Sequence, residues 1–416
     1  MQWFLDNLKA FFETISGWVW GPVMLVLLVG TGILLTVMLK GLQFTMLGYA
    51  LKQAFVPSKK HEDGEDHEGD ISHFAALMTA LSATIGTGNI AGVATAVVTG
   101  GPGAVFWMWM TAVFGMATKY GEGVLAVKYR VTNSKGEMSG GPMYYIEKGL
   151  GKNWKWMALA FALFGTFASF GIGSSVQSNS VAQAVQTSFG VEPVYTGITL
   201  TVLTAIVVLG GIKGIAKAAS FIVPAMAVFY VVGGISIIVI NSDALVPAVK
   251  LIFSDAFSAQ AVAGGAIGTV IRYGVARGVF SNEAGMGSAP IAAAAAKTDH
   301  PVRQALVSMT GTFLDTIIVC SITGIVLVMG ILQSNSGAFA VPDLKGAALT
   351  TATFDAMLSG YGGWMVTIGL IFFAYSTTLG WCYYGEKCAT YVFGDKSVPM
   401  YRVIYVATVM LGTVLS

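Results

Sequence analysis

The chain has 416 residues, of which 55% are hydrophobic and only 11% charged. Soluble domains carry about 25% charged residues, so this composition excludes an ordinary soluble protein and indicates a polytopic membrane protein with a single transmembrane domain over residues 1–416. Its three cysteines lack a close pairing motif, which argues against a disulfide scaffold or a structural metal site, and its net charge of +2 does not indicate a partner.

The N-terminal segment, 1–17, is predicted to form a short helix in the membrane interface, because apolar and charged side chains recur there at helical spacing. An extra span follows at 18–40. Further apolar runs predict spans at 72–98, 102–127, 156–187, 195–212, 218–240, 262–296, 303–332, 361–390 and 400–416. The run at 156–187 is too long for one perpendicular helix, so we expect it to be tilted or to extend past the membrane.

The basic residues are distributed unevenly between the two sides of these spans. Seventeen of the 23 Lys and Arg residues lie in the connections 40–71, 128–155, 213–217, 297–303 and 387–402. Only Lys9, Lys250 and Lys345 lie on the opposite side. The positive-inside rule therefore predicts that the first set of connections is cytoplasmic and that the N-terminus is outside. We interpret the acidic run from His61 to Asp70 as a solvated loop on the cytoplasmic side, and we do not expect His61, His67 and His73 to be metal ligands.

The span at 72–98 is interrupted by small polar residues and glycines over 81–92. In hydrocarbon, each free backbone polar group costs several kcal/mol, so a helix breaks there only where the freed groups line a cavity. Such a break points to the substrate site of a secondary transporter. The alternative is a tight helix–helix contact built from small residues.

The break would expose two kinds of backbone group. The half-helix ending near Ile85 presents free carbonyls, which suit a cation, and Ser82 would contribute another carbonyl. The half-helix beginning near Gly88 presents free N–H groups, at Thr87 and Gly88, which suit a carboxylate.

A second interruption falls within the run at 262–296, over residues 281–290. We interpret this run, which also carries Arg272, Arg277 and Glu283, as a broken helix. Glu283 is either functional, as intramembrane ionisable groups generally are, or paired with one of the two arginines near a helix end.

The two interruptions lie five spans apart and therefore start on opposite sides of the membrane. Corresponding broken helices in two halves of opposite orientation indicate an inverted repeat, with the first half at 72–240 and the second at 262–416. Because only about four spans fit into the second half, we expect that repeat to be incomplete at the C-terminus.

A cluster of hydroxyl side chains lies within the span at 361–390. Ser376, Thr377 and Thr378 are consecutive and would supply ligands to a cation or bond back to their own helix. Trp381 follows Thr377 by one turn and would either bound a pocket or serve for packing.

Polar side chains elsewhere in the spans do not form an enzyme's catalytic set. Gln177 and Asn179 are amides within a span, suited to a cavity or to hydrogen bonds between helices. All four histidines lie in loops or at span edges, which argues against an intramembrane Ser–His protease. The chain has no P-loop, which disfavours an ATP-driven pump.

Four motifs, at Ser82–Gly92, Gly100–Met110, Gly140–Tyr145 and Ser281–Gly287, resemble those of the alanine or glycine:cation symporter family, also called sodium:alanine symporters. The likeness covers nearly the whole chain. It implies an all-α polytopic membrane protein with the leucine-transporter-like fold. In that fold two inverted five-helix repeats have unwound first and sixth core helices, and the span at 18–40 would be an extra N-terminal helix.

The resemblance also implies which residues form the sites. A coupling Na⁺ would be held by Ser82, Ile85, Ala374, Thr377 and Thr378. The substrate would lie among Thr87, Gly88, Gln177, Phe280, Ser281, Asn282, Thr377, Gly380 and Trp381. Its carboxylate would meet Thr87 and Gly88, and Trp381 would limit the size of its side chain.

The implied function is a secondary active symporter in the cell membrane that carries alanine or glycine with a cation, Na⁺, by alternating access. The alternatives are a proton-coupled transporter of another small amino acid and a passive channel or facilitator. The implied partners are a small neutral amino acid and the lipid bilayer, with no nucleic acid and no cofactor besides the coupling ion. The sequence leaves open Na⁺ or H⁺, alanine or glycine, and the oligomeric state.

Overall fold

The computed structural model describes residues 2–56, 68–258, 268–333 and 344–415, with side chains from residue 7 onward. The predictions for His61 and His67 lie outside these residues. The described chain is almost entirely helical, and its small antiparallel sheet pairs β1 (Val131–Thr132) with β2 (Met138–Ser139).

The helices of the first part of the chain are α1 (Gln2–Val19), α2 (Pro22–Met38), α3 (Leu42–Thr45), α4 (Leu47–Phe55), α5 (His73–Thr84), α6 (Val93–Gly100), α7 (Ala104–Lys128), α8 (Pro142–Leu150), α9 (Lys155–Ala168), α10 (Val176–Phe189), α11 (Pro193–Leu209), α12 (Gly211–Ile240) and α13 (Ser242–Ala256). Those of the second part are α14 (Thr269–Asn282), α15 (Ala289–Ala293), α16 (Pro301–Thr312), α17 (Ser321–Leu332), α18 (Gly346–Met357), α19 (Gly362–Phe393) and α20 (Val398–Val414).

Short π-helical segments join α-helices within three of the predicted spans. They lie at Gly88–Gly92, Ser169–Ser175 and Phe313–Cys320. A π-turn leaves part of the regular hydrogen-bond ladder unpaired and is frequent at functional sites. The predicted long span at 156–187 is therefore α9 and α10 joined through such a segment, and it extends to Phe189.

The described residues contain six helical segments long and apolar enough to cross a membrane, or seven if the bent pair α5 and α6 counts as one span. The sequence predicted ten. Two of the predicted spans are missing from this set for simple reasons. Helix α11 is apolar but shorter than the other segments, and α7 carries the charged residues Lys119 and Glu122. Boundaries also shift, because α1 continues to Val19 and α2 begins at Pro22. Helices α8, α13 and α18 were not predicted as spans, and they are short.

The two broken helices lie together at the centre of the helix bundle. Helix α14 packs against α6 and α7, while α5 packs against α12 and α19. Large apolar side chains such as Leu209 and Phe221 instead face outward, with 77% and 79% of their surface exposed. This distribution is expected of a protein surrounded by lipid.

Backbone hydrogen bonds pair residues 68–71 with residues 294–297. The N–H of Asp70 donates to the carbonyl of Ala295 at 2.8 Å, and the N–H of Lys297 donates to the carbonyl of Ile71 at 2.7 Å. We call this pairing the 68–71/294–297 contact. It joins the segment entering the first broken helix to the end of the second.

Candidate substrate and cation site

The first break has the predicted form. Helix α5 ends at Thr84, and Ile85 adopts an extended backbone conformation, with φ −77° and ψ 94°. The chain bends by 53° between α5 and the helical segment Gly88–Gly100. The N–H of Gly86 donates to Oδ1 of Asn89 at 2.9 Å, which satisfies one of the backbone groups that the break frees.

The second break lies between Asn282 and Ala289. Glu283, Gly285 and Gly287 have positive φ values of 56°, 84° and 78°. Glycine adopts this conformation without the steric cost of a Cβ, which explains the two glycines. At Glu283 the same conformation is strained, so the surroundings must hold this residue in place.

A small cavity of about 20 Å³ lies between the two breaks. Six of the nine predicted substrate residues line it: Thr87, Gly88, Gln177, Phe280, Thr377 and Trp381. The lining also contains residues that were not predicted: Ala83, Thr84, Gly86, Ile172, Glu283 and Met286. About 10–15 Å³ of space for the centre of a water molecule is enough to hold one water. The cavity therefore suits only a small solute.

Gln177 carries the polar amide of this cavity. Its Nε2 donates to the carbonyl of Ile172 at 3.0 Å and to Oγ1 of Thr87 at 3.3 Å. Its Oε1 is buried and has no hydrogen-bond partner among the described residues. A buried acceptor without a partner is costly, so a ligand that donates a hydrogen bond here would be stabilised.

The remaining predicted substrate residues do not line the cavity: Ser281, Asn282 and Gly380. Oγ of Ser281 donates to Oδ2 of Asp315 at 2.8 Å. Nδ2 of Asn282 donates to Oγ1 of Thr316 at 3.2 Å. Both side chains therefore tie the second break to the segment Phe313–Cys320, on the side away from the cavity lining.

The five residues predicted to hold Na⁺ lie where the end of α5 meets α19. Oγ1 of Thr377 donates to the carbonyl of Ile85 at 3.3 Å, and Oγ1 of Thr378 donates to the carbonyl of Ala374 at 3.0 Å. Ser82 is fully buried beside them. The arrangement offers hydroxyl and carbonyl oxygens in a buried place, and these are the ligands that hard cations prefer.

Two glycines allow α5 and α19 to approach closely. A Cβ at Gly86 would collide with the Thr377 hydroxyl. A Cβ at Gly380 would lie 2.6 Å from Oγ of Ser82. Gly380 thus contributes to the site by its small size, because a larger residue would separate the two helices that carry the oxygen ligands.

Glu283 lines the cavity and is 97% buried. Its carboxylate accepts a hydrogen bond from Oγ of Ser288 at 2.5 Å. Among the described residues, no ion pair joins it to Arg272 or Arg277. Of the two interpretations of Glu283, the arginine pair is therefore not formed in this structure.

Sequence reasoning missed a second buried carboxylate at the breaks. Asp315 accepts hydrogen bonds from Asn89 at 2.7 Å, from Ser281 at 2.8 Å and from Thr316 at 2.7 Å. Lys119 and Glu122 of α7 are also buried, and Oε1 of Glu122 accepts a hydrogen bond from the N–H of Gly287 at 3.0 Å. The available signal was the ionisable character of these residues inside predicted spans, which is by itself a reason to suspect function.

Comparisons with known proteins identify the family to which the chain belongs. The family model described as "Sodium:alanine symporter family" matches residues 5–416. The sodium/alanine symporter AgcS of Methanococcus maripaludis is 61% identical over 406 residues, which are 97% of this chain and 88% of that protein.

Two solved structures share the fold. The transporter MhsT in complex with L-phenylalanine is 16% identical, with a TM-score of 0.57, over 84% of this chain and 80% of that one. A Na⁺-coupled sialic acid symporter in a substrate-bound outward-open state is 13% identical, with a TM-score of 0.57, over 90% of this chain and 81% of that one. These two structures show the fold, whereas the family match and the 61% identity show the family. With its two broken helices and the cavity between them, the chain belongs to the sodium:alanine symporter family.

Proposed function

We propose that the protein is a secondary active symporter that carries alanine or glycine into the cell together with Na⁺. The observation that carries this proposal is that Thr377 belongs to both the candidate cation site and the substrate cavity. Its hydroxyl contacts the carbonyl of Ile85 in the candidate cation site, and the same residue lines the substrate cavity. A cation bound there would therefore stabilise the same break that binds the substrate, which couples the two binding events.

The cavity supports a small amino acid as the substrate. The N–H groups of Thr87 and Gly88, at the start of a helical segment, would bind the carboxylate. The unpartnered Oε1 of Gln177 would accept a hydrogen bond from the ammonium group. Trp381 bounds the space that remains, so alanine and glycine fit the site better than a branched side chain does.

Coupling to Na⁺ is energetically sufficient for concentrative uptake. One Na⁺ moving down about 100 mV releases ~2.3 kcal/mol. A tenfold Na⁺ gradient adds about 1.4 kcal/mol. Together these terms support a several-hundred-fold accumulation of the substrate.

We further propose that the protein lies in the cell membrane with its N-terminus outside. The support is the uneven distribution of Lys and Arg residues, of which most lie in the connections assigned to the cytoplasm. On this orientation, the 68–71/294–297 contact closes the cytoplasmic end of the bundle.

The competing candidates are a proton-coupled transporter and a passive channel or facilitator. Proton coupling is favoured by one observation, the presence of the buried carboxylates Glu283 and Asp315 beside the breaks. A channel or facilitator would use the same broken helices but would not need an ion site that shares a residue with the substrate site.

Uptake by purified protein in proteoliposomes tests the proposal. Labelled alanine would be supplied under an imposed inward Na⁺ gradient, under an imposed inward proton gradient with Na⁺ absent, or with K⁺ replacing Na⁺ on both sides. We expect saturable accumulation above equilibrium only with the Na⁺ gradient. Glycine should compete with alanine, and leucine should compete weakly.

Each candidate gives a different result in this experiment. Accumulation driven equally well by protons in the absence of Na⁺ would replace Na⁺ by H⁺ as the coupling ion. Equilibration without accumulation under every gradient would indicate a passive facilitator and would overturn the proposal.

A further inference from the structure

The carboxylate of Asp315 contacts both breaks without lining the cavity. It is fully buried and belongs to the π-helical segment Phe313–Cys320. Its Oδ1 accepts a hydrogen bond from Nδ2 of Asn89 at 2.7 Å. Its Oδ2 accepts from Oγ of Ser281 at 2.8 Å and from Oγ1 of Thr316 at 2.7 Å. One side chain thus joins the first broken helix to the second.

On the side of the first break, Asn89 links Asp315 to the backbone. Oδ1 of Asn89 accepts from the N–H of Gly86 at 2.9 Å, and Gly86 lines the cavity. An ionised carboxylate only accepts hydrogen bonds, whereas an amide has one oxygen that accepts and one NH2 group that donates. The carboxylate therefore turns the NH2 group of Asn89 toward itself and leaves the amide oxygen for the freed N–H of Gly86.

On the side of the second break, Asn282 makes the corresponding link. Its Nδ2 donates to Oγ1 of Thr316 at 3.2 Å, and its Oδ1 accepts from the N–H of Ala284 at 3.0 Å. A continuous chain of hydrogen bonds therefore runs from the N–H of Gly86 through Asp315 to the N–H of Ala284. The side chains that form it belong to residues at most 1% exposed.

The cavity is bounded by the two elements that this chain of bonds joins. Gly86 belongs to the first break, Phe280 directly precedes Ser281 near the end of α14, and both Gly86 and Phe280 line the cavity. A buried polar group that loses its partner is costly, so the breaks cannot shift apart without a loss that water does not replace. We propose that Asp315 is a positioning residue that holds the two breaks at the separation at which the cavity binds the substrate.

This inference rests on the proposed transport of a small amino acid and assigns a role to a carboxylate outside the cavity lining. It is tested by the dissociation constant of labelled alanine, measured by equilibrium binding to the purified protein at saturating Na⁺. The variants are Asn89→Asp, Asp315→Asn and the double variant that exchanges the two side chains. The exchange keeps both the volume and the net charge of the pair.

The exchange also keeps the hydrogen bond between the two side chains, with its direction reversed. The new amide at position 315 would donate to the new carboxylate at position 89, which would still accept from the N–H of Gly86. The amide oxygen would still accept from Ser281 and Thr316. Asn89→Asp alone places two carboxylates against each other. Asp315→Asn alone turns an NH2 group toward either Asn89 or the two hydroxyls.

We expect Asn89→Asp to weaken alanine binding by about tenfold or more and Asp315→Asn by about three- to tenfold, because each leaves a buried polar group without its partner. The exchange should bind alanine within about threefold of wild type. It loses the contact at 3.4 Å from Nδ2 of Asn89 to the backbone carbonyl of Asp315. A smaller effect in the double variant than in either single variant measures a direct interaction between the two side chains.

Tyr230→Phe is the matched control. The hydroxyl of Tyr230 bonds to Oγ1 of Thr323 at 2.8 Å, and both residues are fully buried. Thr323 lies in α17, which directly follows the segment Phe313–Cys320, but neither Tyr230 nor Thr323 lines the cavity. Loss of this bond should leave alanine binding at the wild-type value even if it lowers the thermal stability of the protein.

Three results would contradict the proposal: wild-type alanine binding in both single variants, losses that simply add in the double variant, or an equal loss in Tyr230→Phe. A lower Hill coefficient for Na⁺ in Asp315→Asn that the exchange does not restore would also contradict it. That result would make Asp315 a ligand of an ion rather than a positioning residue.

Thr316→Val decides the question if the variants at Asn89 and Asp315 do not fold. It nearly keeps the side-chain volume and removes the hydroxyl that joins Asp315 to Asn282. We expect it to weaken alanine binding by about threefold or more, and wild-type binding would contradict the proposal. A wild type that does not bind alanine in the presence of Na⁺ would instead remove the proposed function. Binding by wild type with no loss in any of these variants would remove only this inference.

Discussion

In the proposed cation site, the hydroxyl groups of Thr377 and Thr378 would be ligands of Na⁺, and substitution can test this role. Valine has nearly the volume of threonine but no hydroxyl, so Thr377→Val or Thr378→Val removes one oxygen ligand with little change in packing. We expect either change to raise the Na⁺ concentration needed for half-maximal uptake by about tenfold or more. The loss of one hydrogen bond or ligand typically costs about 1–2 kcal/mol of binding free energy, and this weakens Na⁺ binding by that factor. The measurement is the Na⁺ dependence of alanine uptake in proteoliposomes.

Thr390→Val provides the control on the same helix. Oγ1 of Thr390 donates to the carbonyl of Glu386 at 2.8 Å, within α19 and far along the helix from the break. It should leave the Na⁺ dependence unchanged. Unaltered Na⁺ dependence in both Thr377→Val and Thr378→Val would show that the ion binds elsewhere.

If the side chain of the bound amino acid packs against Trp381, this residue determines which substrates the cavity accepts. Packed interiors do not expand freely, and extra methylenes typically cost ~1–3 kcal/mol. We expect Trp381→Leu to let valine and leucine compete with alanine, while the affinity for alanine falls or stays similar. Competition assays on both proteins check this. Equal competition by leucine in wild type and variant would mean that another residue limits the size of the substrate.

At the scale of secondary-structure elements, Arg130 supports the 68–71/294–297 contact. It follows α7, and its Nη1 donates to the carbonyl of Ala296 at 2.7 Å and to that of Ala294 at 3.1 Å. Its Nη2 donates to the carbonyl of Glu68 at 2.7 Å. One guanidinium thus joins the segment that enters the first broken helix to the segment that follows the second.

If the protein works by alternating access, as proposed, this end must open, and the loss of Arg130 should favour the open state. We expect Arg130→Ala to increase the rate at which a cysteine placed at Thr87 reacts with a thiol reagent supplied from the side of residues 68–71. Arg130→Lys should have a smaller effect, because lysine keeps the charge but lacks the planar fork that reaches several carbonyls at once.

A surface ion pair on the same side provides the comparison for Arg130. Arg303 pairs with Asp299 at 3.0 Å, with about a third of each side chain exposed. Exposed pairs contribute little, so Arg303→Ala should leave the reactivity of the Thr87 cysteine unchanged. A reactivity in Arg130→Ala equal to that of wild type would show that Arg130 does not hold the end closed.

At the scale of the whole molecule, the proposed orientation predicts which side of the membrane each connection faces. Lys135 and Lys345 are both exposed, and they belong to connections assigned to opposite sides. We expect a membrane-impermeant maleimide to label Lys345→Cys in intact cells and to leave Lys135→Cys unlabelled until the membrane is permeabilised. The native cysteines Cys320, Cys382 and Cys388 are buried, so the background should be low. Labelling of Lys135→Cys from outside would reverse the topology.

The sequence by itself determined the class of protein, the two breaks and the family. Composition and apolar runs indicate a membrane protein, because a spanning helix must be long and apolar regardless of its neighbours. Glycines and polar residues inside such runs indicate the breaks near Gly88 and Gly285, because unpaired backbone groups are too costly in lipid to occur without a purpose. The family comparisons confirm the predicted fold class and a symporter rather than an enzyme.

Only the tertiary structure decided which residues face the cavity. Ser281 and Phe280 are adjacent in sequence, yet Phe280 lines the cavity while Ser281 bonds to Asp315 on another helix. The side-chain partner of Glu283 is likewise Ser288, at the far end of the break, rather than one of the arginines on α14. Neither result follows from local pattern, since the direction of a side chain at a break depends on the helices that pack around it.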